Sequence, residues 1–353
     1  MKEQLKDGLS RIKQGEEPDK ETLKMLVAGN DEEINGTLIS MADETRRKYY
    51  GNKVYMRGLI EFSNFCKRNC KYCGIRGKNS KAERYRLNKD EIIGCCANGY
   101  DMGYRTFVLQ GGEDSYYSDE IMVDIISSIK GAFQDVVVTL SIGEKSEKTY
   151  RSYYEAGADR YLIRHETASP SLYDAVHENM HLKSRLECLY SLKRIGYQIG
   201  AGFMVGLPGQ TDDDLAHDLL LLMKMQPHMV GIGPFIPHAD TPFRDFPKGD
   251  VDKTVRMIAL SRLMVPKALI PATTALGTAD AFGRERGLMA GANVVMPNLS
   301  PMEDRSKYML YDNKLCMGEE SAECTATIRD KIESAGYELD MSRGDHIDWR
   351  KKQ

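Results

Sequence analysis

Eight short runs rich in β-branched and apolar residues recur along this 353-residue chain, each followed by a longer stretch with helical spacing. The runs are Val54 to Phe62, Thr106 to Gln110, Val136 to Ile142, Arg160 to Arg164, Ile199 to Val205, Met229 to Ile236, Leu269 to Ala275 and Asn293 to Pro297. Strands that alternate with helices pair in parallel, because each helix carries the chain back to the starting edge of the sheet. Several intervening helices share one stop signal, a glycine just ahead of the next strand: Gly103, Gly157, Gly196 and Gly291. The segment after the fifth run opens with Thr211-Asp212-Asp213-Asp214, a cap followed by negative charge at the positive end of a helix. Eight such units over about 250 residues predict an α/β fold, a closed (β/α)8 barrel of the TIM type. Residues 1–50 read as a polar helical extension, 51–300 as the barrel, and 301–353 as an irregular C-terminal segment wrapping across an end of it.

Charge narrows the function classes. A net charge of -3 provides no field to draw in nucleic acid or an anionic membrane, which favours small-molecule or protein partners. Met1 to Asp19 is charged and amphipathic, and the longest aliphatic run, Leu219 to Leu222, is far too short to span a bilayer. A cytoplasmic location is expected. There, eight cysteines are thiols or metal ligands rather than disulfides. Cys95, Cys96 and Cys188 fall in helix-like segments and are expected to fill space.

The remaining cysteines are arranged for chemistry. Cys66-Lys-Arg-Asn-Cys70-Lys-Tyr72-Cys73 follows the end of the first strand, the barrel end where active sites gather. Soft thiolates hold iron-sulfur clusters, and a compact CxxxCxxC loop can hold three irons of a 4Fe-4S cubane and leave the fourth open. A structural zinc site needs four nitrogen or sulfur ligands, and no second CxxC occurs in the chain.

Other chemistry-bearing residues stand at the same strand ends. The second run leads into Gly111-Gly112-Glu113-Asp114, a turn that lets a ligand approach the backbone. The fourth ends Arg164-His165-Glu166, where alternation puts Arg164 and Glu166 on one face and His165 on the other, toward a helix. An inward Arg164 and Glu166 must pair with each other or with ligands. Thr139 and Ser141 alternate on the third run, and Thr273-Thr274 end the seventh, where hydroxyls suit a carboxylate. Threonine is also common in strands simply because it is β-branched. Met204 and Met296 lie near strand ends and could line an apolar chamber or fill the core.

The cysteine spacing, with an aromatic Tyr72 before the last cysteine, together with Gly111-Gly112-Glu113, resembles the signature of the radical S-adenosylmethionine (SAM) superfamily. Longer runs are more specific. Ile60 to Asn64, Arg160 to Ala168 (RYLIRHETA), Met204 to Thr211 (MVGLPGQT), Met229 to His238 (MVGIGPFIPH) and Ile270 to Thr278 (IPATTALGT) resemble the HydE family of FeFe-hydrogenase maturases. The likeness runs from about Asn30 to Cys324. It implies Cys66, Cys70 and Cys73 as ligands of a 4Fe-4S cluster, with Gly111, Gly112, Glu113, Glu166 and Arg185 holding SAM. It also implies a substrate chamber lined by Thr139, Arg164, Thr273, Thr274, Met296, Tyr308 and Tyr311.

The family is expected to act on an iron-bound cysteine carrying carbonyl and cyanide, made by HydG, with HydF as a further partner, on the way to the diiron unit of the hydrogenase H-cluster. Some members carry a second cluster on three C-terminal cysteines. Here Cys316 and Cys324 remain and Thr327 takes the third place, so no second cluster is expected. The alternatives are a radical SAM mutase related to methylornithine synthase and an iron-sulfur scaffold. Biotin synthase is disfavoured because the strand ends lack the further cysteines of its second cluster.

Overall fold

Caps and glycine stops divide the chain much as the sequence pattern demands. The computed structural model describes residues 1–315 and 321–350. Three helices come first, α1 (Lys2–Lys13), α2 (Lys20–Ala28) and α3 (Glu32–Tyr50), the latter two capped by Asp19 and Asp31. Then follow β1 (Lys53–Met56), β2 (Gly58–Ser63), α4 (Lys89–Asp101), β3 (Thr106–Gly111), α5 (Asp119–Ala132), β4 (Val137–Ser141), α6 (Glu147–Glu155) and β5 (Arg160–Leu162). Next come α7 (Pro170–Val176), α8 (Leu182–Ile195), β6 (Gln198–Ala201), β7 (Met204–Val205), α9 (Asp212–Met225), β8 (Met229–Val230), β9 (Gly233–Pro234) and α10 (Val251–Met264). The last part holds α11 (Thr274–Ala279), α12 (Gly283–Met289), β10 (Val294–Val295), α13 (Met302–Arg305), α14 (Thr325–Ser334) and β11 (Glu338–Asp340). All four glycine stops have positive φ, and Thr211 caps α9 in a reciprocal box with Asp214. No helix among the described residues is long and apolar enough to cross a membrane.

β2, β3, β4, β5, β6 and β8 pair in that order in one parallel sheet. Beyond β8 the ring continues through single parallel bridges, Met229 to Leu269 and Pro271 to Val294, and Leu59 on β2 bridges Asn298. A regular ladder therefore covers six strands in place of the closed eight-stranded ladder expected from the sequence. The seventh run stops early because Thr273 caps α11, accepting from the Leu276 N–H at 3.3 Å. The fifth and sixth runs each split, and β7 and β9 pair separately. At the split Gly202 has φ 147° and passes so close to Gly231 that an added Cβ would lie 2.0 Å from its carbonyl oxygen. The first run divides at Arg57, because β1 takes β10 and β11 as neighbours whereas β2 takes β3.

The main core lies between sheet and helices, where Ile60, Leu109 and Leu140 meet Ile92, Ile126 and Leu219. Period two then turns Leu59 and Glu61 the other way, toward the sheet's inner face. The region after Pro301, expected to be irregular, instead contributes α13, α14 and β11, and β11 pairs in parallel with β1. It reaches both ends of the sheet. At the N-terminal strand ends the buried Arg160 donates to the Arg343 and Gly344 carbonyls and to Asp345, while Gln198 donates to Asp345 at 2.6 Å. At the opposite end Asn64 donates to the Lys307 carbonyl, the Gly74 N–H to the Leu310 carbonyl, and Lys314 Nζ to Glu61 Oε1 at 2.6 Å.

Glu61 is 0% and Lys314 5% exposed at the side chain, so theirs is a buried ion pair joining the covering segment to β2. Asn298 Nδ2 satisfies the other Glu61 oxygen at 2.9 Å. Lys314→Ala should lower the free energy of unfolding in guanidinium by roughly 3–5 kcal/mol, since it strands the Glu61 charge. Combining Glu61→Gln with Lys314→Met should recover most of that loss, because no bare charge is then left.

Candidate active site at the strand exits

The cysteine loop leaves β2 and is held in shape from within. Asn64 donates to the Glu83 carbonyl at 2.7 Å and accepts from the Tyr85 N–H. Arg84 gathers carbonyls of Asn64, Ile75, Arg76 and Asn79. Such an inward-facing set of carbonyls curls the loop so that Cys66, Cys70 and Cys73 remain free and part-exposed. The turn after α7 grips the loop from outside. The Lys71 N–H donates to the Val176 carbonyl at 2.9 Å, and Glu178 pairs with both Arg76 and Lys78. His177 Nδ1 must give its proton to the Tyr173 carbonyl, so its Nε2 accepts from the Tyr72 hydroxyl at 2.9 Å. Tyr72 also packs against the cluster of Val176, Met204, Leu207 and Phe235, which places Met204 in apolar packing.

The Gly111-Gly112 turn lies against this loop. A Cβ on Gly112 would stand 2.1 Å from the Phe65 carbonyl oxygen and 2.7 Å from Cys66 Cβ. The backbone N–H groups of Arg68 and Glu113 both point at Cys66 Sγ, each at 3.4 Å. Burial pushes all three thiols up, Cys70 to about 12, despite their remaining exposure.

Charged groups at the exits are mutually matched. Arg68 Nε bonds Glu113 Oε2 at 2.7 Å and its Nη2 lies 3.2 Å from Glu144 Oε2. Arg185, the fourth residue of α8, bonds Glu144 Oε1 at 2.7 Å and donates to the Arg164 carbonyl at 2.8 Å. The Glu144 N–H donates back to Glu113 Oε1. The Glu113 carboxylate is thus tied to the cysteine loop and the β4 exit. The sequence reading missed Glu144 and Arg68. Glu144 stands two residues past the third predicted strand, at the end where such strands carry function, and that position was its signal.

Beyond β5, Glu166 has φ 66°, left-handed for a residue that is not glycine. Its Oε2 is buried without a hydrogen bond, 3.2 Å from Arg164 Nη2 in an ion pair. His165 faces the other way, fully buried, with Nε2 3.1 Å from Asp218 Oδ1 on α9. Burial holds His165 down to about 3, so the imidazole is neutral.

The expected chamber residues divide. Thr139 is 2% exposed and its hydroxyl has no partner. Arg164 runs along Gly231, and Tyr308 is buried, with Lys314 Nζ 5.0 Å from the centre of its ring. Thr273 is a helix cap and Thr274 Oγ1 accepts from Arg284 at 3.3 Å, so both hydroxyls already have structural work at the start of α11, not at a strand end. Met296 packs beside Met229 and Leu269. Tyr311 is half-buried in the covering segment. Cys95 and Cys96 are buried in α4, and Cys324 ends a short 3-10 turn as a free thiol. Cys316 lies outside the described residues.

A model of the radical SAM superfamily matches residues 60–222. The [FeFe] hydrogenase maturase subunit HydE of Thermotoga maritima is 48% identical over 317 residues, 90% of either chain. This chain belongs to the HydE family. It is a radical SAM enzyme, with a 4Fe-4S cluster and SAM as cofactors. Among solved structures, methylornithine synthase (PylB) has TM-score 0.84 at 26% identity, covering 94% of this chain and 97% of that one. The maturase HydG of Carboxydothermus hydrogenoformans shares the fold, with TM-score 0.79 at 20% identity over 96% of this chain and 80% of its own.

The residues present fit the HydE cofactors. The donor set is soft, two N–H groups already face one sulfur, and a buried carboxylate oxygen without a hydrogen bond, held only by its ion pair with Arg164, stands at the same mouth. Among the described residues no three His, Cys, Asp or Glu converge on one metal ion, a requirement that a cluster with one cysteine per iron does not impose. Gly112→Ala should therefore disrupt the cofactor site without unfolding the barrel, because its methyl group would push turn and loop apart. After anaerobic reconstitution the variant should keep its far-UV dichroism yet hold much less iron per chain than the parent.

Proposed function

We propose that this protein acts in assembly of the diiron subcluster of the FeFe-hydrogenase H-cluster, on an iron-bound cysteine carrying carbonyl and cyanide. The single observation that carries this reading is the 48% identity to the HydE maturase over 90% of the chain, with the three cysteines and the Gly111-Gly112-Glu113 turn meeting at one sheet end. When bound, the cluster and SAM supply one chemistry, reductive cleavage of the sulfonium to a 5'-deoxyadenosyl radical.

The rest is the work of the chain's own residues. Cys66, Cys70 and Cys73 would hold the cluster, which would in turn bind SAM. The backbone at Gly111 and Gly112, with Glu113 bracing it through Arg68, faces the amino end, while Glu166 and Arg185 hold the remainder. Arg164 and the unpartnered Thr139 hydroxyl receive the substrate carboxylate. Thr273 and Thr274, already structurally bonded, keep their hydroxyl protons to donate, and Met296, Tyr308 and Tyr311 complete the wall. The segment bearing Tyr308 and Lys314 lies over the chamber and keeps out water and oxygen, which the radical would otherwise meet. Within this enclosure the substrate sulfur would be held within reach of the radical that the cofactors supply. HydG is the proposed source of the substrate and HydF a further partner.

Likeness to methylornithine synthase supports a second reading, a radical mutase acting on an amino acid. Mass spectrometry separates the two. The reconstituted, reduced protein is incubated anaerobically with SAM and a synthetic iron-cysteine carbonyl cyanide complex. An adduct of deoxyadenosine with the substrate sulfur is the expected product. Free 5'-deoxyadenosine unchanged by the complex would defeat the maturase reading and return attention to amino acid substrates. Cys70→Ser should abolish SAM cleavage in either case while its circular dichroism stays that of the parent.

A further inference from the structure

Glu166 holds a backbone conformation that side chains rarely adopt, and the structure shows what keeps it there. Its N–H donates to the Gly202 carbonyl at 3.0 Å, and its own carbonyl accepts from the Met204 N–H at 3.1 Å. These bonds fix the peptide groups but leave the flanking residues to be held by something else. On one side stands His165. The Gly202 N–H donates to its Nδ1 at 3.3 Å, so the ring proton sits on Nε2 and is given to Asp218 Oδ1 at 3.1 Å. On the other side the Ala168 N–H donates to the same Oδ1 at 2.5 Å. One carboxylate oxygen on α9 thereby grips the residue before Glu166 and the residue two after it. Asp218 is itself 0% exposed and its Oδ2 has no hydrogen bond. It lies behind the strand exit, outside the site.

We propose that Asp218 is a positioning residue for SAM: through His165 and the Ala168 N–H it holds the left-handed turn that aims the Glu166 carboxylate into the mouth. The proposal rests on the reading that Glu166 contacts SAM. A buried polar pair with a purely structural role would change stability and leave SAM affinity alone. A positioning pair changes affinity in a protein that remains folded and loaded. Asparagine at 218 keeps an oxygen that can accept both hydrogen bonds, whereas alanine keeps none.

The test titrates SAM into the reconstituted holoenzyme and follows the electron paramagnetic resonance of the reduced cluster, with thermal melting alongside. Asp218→Ala should weaken SAM binding by about tenfold or more while SAM cleavage at saturation changes little, the split expected of lost ground-state binding. Asp218→Asn should restore affinity to near that of the parent. His165→Phe, which keeps the ring volume but has no proton to give, should reproduce the alanine effect and serves if Asp218→Ala does not fold. Folded, iron-loaded Asp218→Ala or His165→Phe with unchanged SAM affinity would overturn the proposal. Glu166→Ala is measured in parallel. If it too leaves affinity unchanged, the assignment of Glu166 to SAM fails and takes the proposal with it. If it weakens binding while Asp218→Ala does not, the proposal alone falls.

Discussion

Four charges at the strand exits, Arg68, Glu113, Glu144 and Arg185, hold this site together. Each belongs to a different piece of chain: the cysteine loop, the turn after β3, the exit of β4 and the start of α8. They alternate in sign and sum to zero, so no member is left as an unmatched charge among side chains with little water around them. Short ionic hydrogen bonds of this kind are also directional, and two of the four carry a guanidinium whose planar fork fixes its partners' angles as well as their distances. The loop that carries the thiols is consequently registered against the turn and against α8, which the internal bonds of Asn64, Asn79 and Arg84 do not do.

Much of the fold was visible as local chemistry. Glycines 103, 157, 196 and 291 end helices because each takes a positive φ there, and Thr211 caps because a hydroxyl and a following Asp214 satisfy each other's neighbours. These signals are read over four residues and need no knowledge of the rest of the chain. What escaped was non-local. The break between β6 and β7 comes from Gly202 meeting Gly231 across the sheet, and the shift from strand to helix at Thr273 turns on a cap bond that competes with strand pairing. An irregular tail was expected after Pro301 because polar composition hides a strand whose partner, β1, lies almost three hundred residues earlier.

The site divides along the same line. The thiols, the glycine turn, Arg164 and Glu166 stand at strand ends, and spacing alone could place them. Glu144 obeys the same rule, yet it was passed over because one acidic residue in a loop is usually a solvated one. Asp218 carried a sharper clue. Leu215, Leu219 and Leu222 mark the buried stripe of α9, and an aspartate at the intervening position falls on that stripe, where an unpaired charge would be intolerable. Its partner, His165, was expected to pack against a helix, and the residue that receives it there is Asp218.

The segment from Lys307 to His346 closes the sheet at one end through Lys314 and at the other through the Arg343–Asp345 turn. Every strand of the six-stranded ladder precedes this segment in the chain. Both ends of the sheet are therefore covered by chain made after its strands, so covering the strand exits is a step separable in time from pairing of the strands themselves.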